Sequence, residues 1–117
     1  MPVAAIGIGS NVGDAIANVR GAFGRLAELG TVVARSSLYR TAPWGLTAQD
    51  PFVNAVALVD TALTPRALLL ALKTVEAHAG RVPTVRWGPR VLDLDILTYA
   101  DRRIDDLDLT IPHPRLH

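Results

Sequence analysis

Two aspartates, Asp93 and Asp95, stand two positions apart in an otherwise aliphatic run of this 117-residue chain. In an extended strand both side chains point to the same face, with Cα atoms about 6.6 Å apart. Two ionised carboxylates at this separation repel by about 2 to 3 kcal/mol at an effective dielectric near 20, so a bound cation stabilises them. Oxygen ligands favour Mg²⁺, which takes further ligands from water and substrate phosphates. The pair predicts a magnesium site; the alternative is an exposed strand face with two solvated aspartates.

Three arginines, Arg81, Arg86 and Arg90, precede this pair in a stretch without acidic residues. Guanidinium groups bind phosphate oxygens in bidentate fashion, and the Gly-Pro dipeptide in the stretch favours a loop. Trp87 of the same loop could exclude water from a closed site, although a core anchor is the alternative. Because the chain has no Gly-x-x-x-x-Gly-Lys motif, we expect arginines and metal to hold any nucleotide.

Asn54 is a polar residue within an apolar strand-like run. Its burial without a hydrogen-bond partner would cost a few kcal/mol, so we expect one, either a heterocyclic ligand or a backbone group of residues 41–45. Phe52, two residues earlier, could stack on a flat ring or pack in the core. His113, between two prolines, is a candidate phosphate contact.

Hydrophobic periodicity and capping residues predict four strands and two helices. The strands cover residues 3–9, 31–39, 52–61 and 91–99, and the helices begin after Asp14 and Thr64 and end at Gly30 and Gly80. Long loops fill residues 40–51 and 81–90. Both faces of the 52–61 strand are mostly apolar, which predicts a central strand buried on both sides. The order is that of a ferredoxin-like βαββαβ α+β domain, with an antiparallel sheet and two helices on one face.

Composition limits the class of protein. Residues are 50% hydrophobic and 20% charged, as in a globular domain, and the absence of cysteine excludes disulfides and thiolate metal sites. A net charge of +1 gives no reason to expect nucleic acid as a partner. No apolar run approaches the roughly 18 residues that a membrane span needs, so we expect a cytoplasmic protein without a membrane partner.

Six short motifs carry a family resemblance. They are Gly9-Ser10-Asn11, residues 39–45, Phe52-Val53-Asn54-Ala55, Glu76 with Gly80-Arg81, the run Arg86 to Asp95, and Ile111-Pro112-His113-Pro114. Together they resemble the hydroxymethyldihydropterin pyrophosphokinases of folate biosynthesis, and the run from 86 to 95 is the most specific. The resemblance implies one pyrophosphokinase domain over residues 1–117, which is expected to lack the family's C-terminal segment.

The resemblance implies transfer of pyrophosphate from ATP to the hydroxymethyl group of 6-hydroxymethyl-7,8-dihydropterin, with release of AMP. Asp93 and Asp95 are then ligands of two Mg²⁺ ions, and the catalytic set is Arg81, Arg86, Arg90, Asp93 and Asp95. The implied ATP-binding residues are Glu76, Arg81, Arg86, Trp87, Arg90, Ile96, Thr110, Ile111 and His113. The implied pterin-binding residues are Thr41, Ala42, Pro43, Trp44, Phe52 and Asn54.

Two other classes of protein share parts of this pattern. A nucleotidyltransferase also pairs a Gly-Ser turn with an Asp-x-Asp strand, but there the two lie close in sequence, whereas Ser10 and Asp93 are far apart here. A catalytically impaired or non-catalytic ferredoxin-like module that binds a small ligand is the second alternative.

Overall fold

The computed structural model describes residues 1–41, 51–79 and 91–114. Its strands are β1 (Val3–Ser10), β2 (Thr31–Arg35), β3 (Tyr39–Thr41), β4 (Phe52–Asp60), β5 (Asp93–Tyr99), β6 (Ile104–Asp105) and β7 (Thr110–Ile111), and its helices are α1 (Ala15–Leu26) and α2 (Pro65–His78). The main sheet has the order β2-β4-β1-β5, β3 also pairs with β4, and all these pairs are antiparallel. This architecture confirms the predicted α+β fold.

Both helices begin where the sequence predicted. The Asp14 carboxylate accepts a hydrogen bond from the Ala17 amide at 3.1 Å, and the Thr64 hydroxyl accepts one from the Ala67 amide at 3.2 Å. Such bonds satisfy amides that the first helical turn leaves without partners.

The ends of the helices differ from the prediction or lie outside the described residues. Helix α1 ends at Leu26, four residues before the predicted stop at Gly30. Gly30 has another role, since a Cβ there would lie 2.3 Å from the Asp60 carbonyl oxygen. The residue is a glycine because the chain passes so close to the end of β4. The other predicted stop, Gly80, falls outside the described ranges.

The sheet buries one of its faces. In β4 the alternate residues Val53, Ala55, Ala57 and Val59 are buried against the helices, while Leu58 on the other face is 38% exposed. The prediction that both faces of this strand are buried was therefore wrong, because both helices pack on the same side. In the described ranges no helix packs on the second face, whose residues are mostly half-buried or exposed, and we call it the open face of the sheet.

The predicted strand over residues 31–39 is interrupted. The Ser36 amide donates to the Val56 carbonyl, and the Ser36 hydroxyl accepts from the Val56 amide, both at 2.8 Å. This serine ends the regular ladder, and the chain rejoins β4 as β3. Thr41 therefore lies in a strand and not in the loop that was predicted to begin at residue 40.

The short β6–β7 hairpin follows β5 and is attached to the start of α2. Arg66 donates hydrogen bonds to Asp106 at 2.5 Å and to Asp108 at 2.8 Å, and the Tyr99 hydroxyl donates to the Leu63 carbonyl. The Arg66 contacts attach the hairpin to α2, and the Tyr99 bond attaches the end of β5 to the segment before α2. In the described ranges, the helices are too short or too polar to cross a membrane.

Candidate active site

Three neighbouring strands place an amide, a glycine and a carboxylate in one row on the open face. Gly9 of β1 lies opposite Asn54 of β4 on one side and opposite Asp93 of β5 on the other. Residues directly opposite in paired strands share a face, and neighbouring strands lie about 4.8 Å apart. Asn54 and Asp93 are thus on the same side of the sheet, with about 10 Å between their backbones.

The two aspartates lie as the period-two pattern predicted. Asp93 is half-buried and the Asp95 side chain is 45% exposed, whereas Leu94 and Ile96 are buried on the helix side. In the β1–β5 register, Asp95 is opposite Gly7, which lies two residues before Gly9 in β1. Both carboxylates therefore project over the open face beside residues that have no side chain.

His113 is brought to the same place by the segment after β7. Its amide donates to the Leu97 carbonyl at 2.8 Å, and its Nε2 lies 3.7 Å from Asp95 Oδ1. The imidazole thus lies beside Asp95, where it can contact a phosphate that a metal ion brings to the carboxylates.

The donor set fits magnesium that arrives with a polyphosphate. Within residues 1–41, 51–79 and 91–114, no three His, Cys, Asp or Glu side chains converge to hold a metal ion. A pair of carboxylates suffices for Mg²⁺, which is commonly held by one or two carboxylates with substrate phosphates and water as its other ligands. Both carboxylates are only half-buried, so an ion that brings such ligands can reach their oxygens.

Thr41 orients the Asn54 amide. Asn54 Nδ2 donates to the Thr41 hydroxyl at 2.7 Å and to the Phe52 carbonyl at 3.3 Å. The expected partner was a ligand or a backbone group of residues 41–45, whereas the structure uses the side chain of Thr41. With its nitrogen engaged in this way, the amide turns Oδ1 towards Gly9. The oxygen can accept a hydrogen bond from a ligand on the open face.

Phe52 also packs over Gly9. A Cβ on Gly9 would lie 3.4 Å from Phe52 Cδ1 and 3.3 Å from Asn54 Oδ1. The aromatic ring and the amide oxygen thus meet above one glycine, which gives a flat surface with a hydrogen-bond acceptor at its edge. This surface fits the ring of a polar heterocycle.

Glu76 lies on the other side of the sheet. It is 3% exposed, and its Oε2 accepts a hydrogen bond from the Leu94 amide at 2.7 Å. Sequence reasoning placed this residue among the ATP contacts and did not foresee its bond to β5. The available signal was an acidic residue next to Val75 on the apolar stripe of α2.

The sequence-based prediction also did not identify the structural role of Asn18. Its Nδ2 donates to the Ser10 hydroxyl at 3.2 Å and to the Val12 carbonyl at 2.9 Å. These bonds tie the turn after β1 to helix α1, at the end of the sheet where Gly9 lies. Its signal was an amide side chain next to Val19, which is buried in the core.

Only some of the remaining predicted site residues lie in the described ranges. Ile96 is 4% exposed and on the helix side, and Thr110 and Ile111 form β7, which packs beside β5. The other seven lie outside the described ranges: Ala42, Pro43, Trp44, Arg81, Arg86, Trp87 and Arg90. Thr41 directly precedes the first of these segments, and Asp93 lies three residues after the second.

Comparison with known proteins gives a consistent result. Residues 5–117 match the family described as 7,8-dihydro-6-hydroxymethylpterin-pyrophosphokinase (HPPK). A 2-amino-4-hydroxy-6-hydroxymethyldihydropteridine pyrophosphokinase from Methylorubrum extorquens is 49% identical over 115 residues, which cover 97% of this chain and 73% of the relative. A protein of the same name from Pseudomonas putida is 45% identical over 114 residues, 96% of this chain and 94% of the relative.

A plant relative is much longer than this chain. The mitochondrial folate synthesis bifunctional protein of Pisum sativum is 43% identical over 112 residues, which cover 95% of this chain but 22% of that protein. Because the family match spans nearly the whole sequence, and a relative 49% identical is covered over 73% of its length, the chain belongs to the 7,8-dihydro-6-hydroxymethylpterin-pyrophosphokinase family.

Proposed function

We propose that this chain transfers pyrophosphate from ATP to the hydroxymethyl oxygen of 6-hydroxymethyl-7,8-dihydropterin, and that the reaction takes place on the open face of the sheet. ATP and the pterin are the substrates expected of this family. The proposal rests chiefly on the row Asn54–Gly9–Asp93, which sets a flat polar surface beside a carboxylate pair. The row therefore supports a site in which an acceptor alcohol and a metal-bound polyphosphate meet.

Asp93 and Asp95 would hold Mg²⁺, and we propose two ions. When bound, magnesium would neutralise charge on the phosphates and stabilise charge on the leaving AMP oxygen. The support is the pair of half-buried carboxylates on one face of β5. Magnesium held by these carboxylates would also offset the repulsion between the two aspartates.

Arg81, Arg86, Arg90 and His113 would contact the phosphates. Arginine binds phosphate in bidentate fashion, and His113 is supported by its position 3.7 Å from Asp95. Trp87 would exclude water. Glu76, Ile96, Thr110 and Ile111 complete the proposed ATP-binding set, in which Glu76 would act through its hydrogen bond to β5. Because phosphoryl transfer depends mainly on positioning and charge stabilisation, these groups can supply most of the catalysis.

Thr41, Phe52 and Asn54 would bind the pterin, together with Ala42, Pro43 and Trp44. Phe52 would stack on the ring, and Asn54 Oδ1 would accept a hydrogen bond from a ring N–H. The pterin would then lie with its hydroxymethyl group towards Asp93, where the oxygen attacks the β-phosphorus of ATP and AMP leaves.

We also propose that residues 1–117 form this one domain and that it acts in the cytoplasm.

The identity of the nucleotide product tests this proposal. The chain is incubated with ATP, Mg²⁺ and 6-hydroxymethyl-7,8-dihydropterin, and the products are separated by chromatography. We expect equal amounts of AMP and pterin diphosphate, with no product after magnesium is chelated. ADP as the product, or undiminished turnover without divalent metal, would contradict the proposal. Binding of an ATP analogue without any AMP release would favour a non-catalytic module.

A further inference from the structure

We infer that Glu76 is a positioning residue that fixes strand β5, and through it the two aspartates. The inference rests on the proposed function of Asp93 and Asp95 as magnesium ligands. It gives Glu76 a role that does not require contact with ATP or with the metal, because it acts through the backbone of the strand.

The contact that supports this role is short and buried. Glu76 Oε2 lies 2.7 Å from the amide nitrogen of Leu94, and Glu76 is 3% exposed. Leu94 is the residue between Asp93 and Asp95, so the bond is made to the peptide that joins the first aspartate to its neighbour. Hydrogen bonds to a carboxylate are stronger than those between neutral groups, and this one is shielded from water.

The place of Glu76 in α2 argues against a role in packing alone. The other buried members of this helix are apolar, among them Leu68, Leu72 and Val75. An apolar side chain would fill the position without the penalty of burying a carboxylate. Residues that break a local hydrophobic pattern are expected at functional sites. The hydrogen bond to Leu94 indicates that Glu76 supports strand β5.

The position of β5 in the sheet explains why such a bond is needed. β5 is the last strand in the order β2-β4-β1-β5, so within the described residues one of its edges has no neighbouring strand in the main sheet. Asp93 is also its first residue, and the ends of strands open more easily than their centres. Glu76 holds the peptide at this end and edge, which limits rotation of the backbone that directs both carboxylates to the open face.

Metal binding and amide exchange test the inference without measuring turnover. Glu76→Met keeps the side-chain volume and removes the acceptor, whereas Glu76→Gln keeps an oxygen that can accept from Leu94. Val75→Ala is the matched control, because it loosens the same helix without removing that acceptor. Mn²⁺ binding is measured by electron paramagnetic resonance with a saturating non-hydrolysable ATP analogue, and exchange of the Leu94 amide is measured by NMR on metal-free protein.

We expect Glu76→Met to weaken Mn²⁺ binding by about 10- to 100-fold, as loss of a residue that supports metal ligands commonly does. We expect the Leu94 amide to exchange at least about tenfold faster in this variant. Glu76→Gln should stay close to wild type in both measurements. Unchanged Mn²⁺ affinity in Glu76→Met, or an equal loss in Val75→Ala, would overturn the inference.

Asp95→Ala separates this inference from the proposed function. If Asp95→Ala loses Mn²⁺ and Glu76→Met does not, the metal site stands and the role of Glu76 is wrong. If Asp95→Ala binds Mn²⁺ as well as wild type does, the proposed metal ligands are wrong, and the inference about Glu76 fails with them.

Discussion

Asn54 of β4 and Asp93 of β5 lie on either side of Gly9, each directly opposite it in the strand register. About 10 Å separates the two backbones, since neighbouring strands lie about 4.8 Å apart. Under the proposed function, a ligand held by Asn54 would therefore lie within reach of an ion held by Asp93. This arrangement would let the two substrates of the proposed reaction meet on the open face of the sheet.

Gly9→Ala should weaken pterin binding. The new Cβ would lie 3.3 Å from Asn54 Oδ1 and 3.4 Å from Phe52 Cδ1, so both groups must shift by a few tenths of an ångström. We expect the KM for the pterin to rise by about tenfold, because small displacements of binding groups have large kinetic effects. Steady-state kinetics at saturating ATP measure the change.

Gly24→Ala is the matched control for this experiment. It makes the same substitution in α1, where the new Cβ has no atom within 4 Å. We expect its KM for the pterin to equal that of wild type. An unchanged KM in Gly9→Ala would show that Phe52 and Asn54 do not form the pterin surface.

Two other glycine substitutions should change stability in opposite directions. Gly24→Ala should stabilise the protein by about 0.5 to 1 kcal/mol, since alanine favours a helix more than glycine does and the site is open. Gly30→Ala should destabilise it by about 1 to 3 kcal/mol, because its Cβ would lie 2.3 Å from the Asp60 carbonyl oxygen. Urea denaturation measures both, and effects of the same sign would contradict this account of Gly30.

Thr41 and Asn54 should act as one unit. The Thr41 hydroxyl accepts from Asn54 Nδ2 at 2.7 Å, so Thr41→Val leaves the amide free to turn. We expect Thr41→Val to weaken pterin binding, but to have little further effect in an Asn54→Ala background. A double-mutant cycle on the pterin Kd should give a coupling free energy of about 1 kcal/mol. Strictly additive effects would mean that Thr41 does not orient Asn54.

The Arg66–Asp108 contact should make stability depend on acidic pH. Hydrogen bonding to the Arg66 guanidinium lowers the pKa of the Asp108 carboxyl below its ordinary value of about 3.9. Because the folded pKa is lower than the unfolded one, the stabilisation is complete above the ordinary value and is lost as the pH falls through the lowered one. The pair therefore stabilises the hairpin at neutral pH and not in strong acid.

Asp108→Asn tests this pH dependence. We expect its Tm to lie below that of wild type at pH 7, with the difference vanishing at strongly acidic pH. Asp101→Asn, an exposed aspartate in the turn after β5, is the matched control. A Tm difference for Asp108→Asn that stays constant across the acidic range would contradict the assigned ion pair.

Local patterns in the sequence predicted the parts of the site that depend on periodicity. The alternation of Asp93, Leu94 and Asp95 was sufficient to place both carboxylates on one face, because side chains alternate strictly along a strand. The helix starts at Asp14 and Thr64 were also predictable, since capping depends on nearby residues.

Contacts between distant residues could not be predicted in this way. The break after β2 depends on Ser36 bonding to Val56, and the partner of Asn54 depends on β3 pairing with β4. The bond from Glu76 to Leu94 likewise joins a helix to a strand. Each pairing is set by the tertiary arrangement, so the sequence showed which polar residues needed a partner but not which partner they have.

The rate of AMP release by Asp95→Ala tests the central claim most directly. The control is Asp105→Ala, which removes an exposed aspartate from β6. With ATP, pterin and Mg²⁺ saturating, we predict that Asp95→Ala loses at least about 10³-fold in kcat, equivalent to about 4 kcal/mol, while the control keeps wild-type activity. An Asp95→Ala variant that releases AMP at a rate within tenfold of wild type would contradict the assignment of Asp95 to the magnesium site.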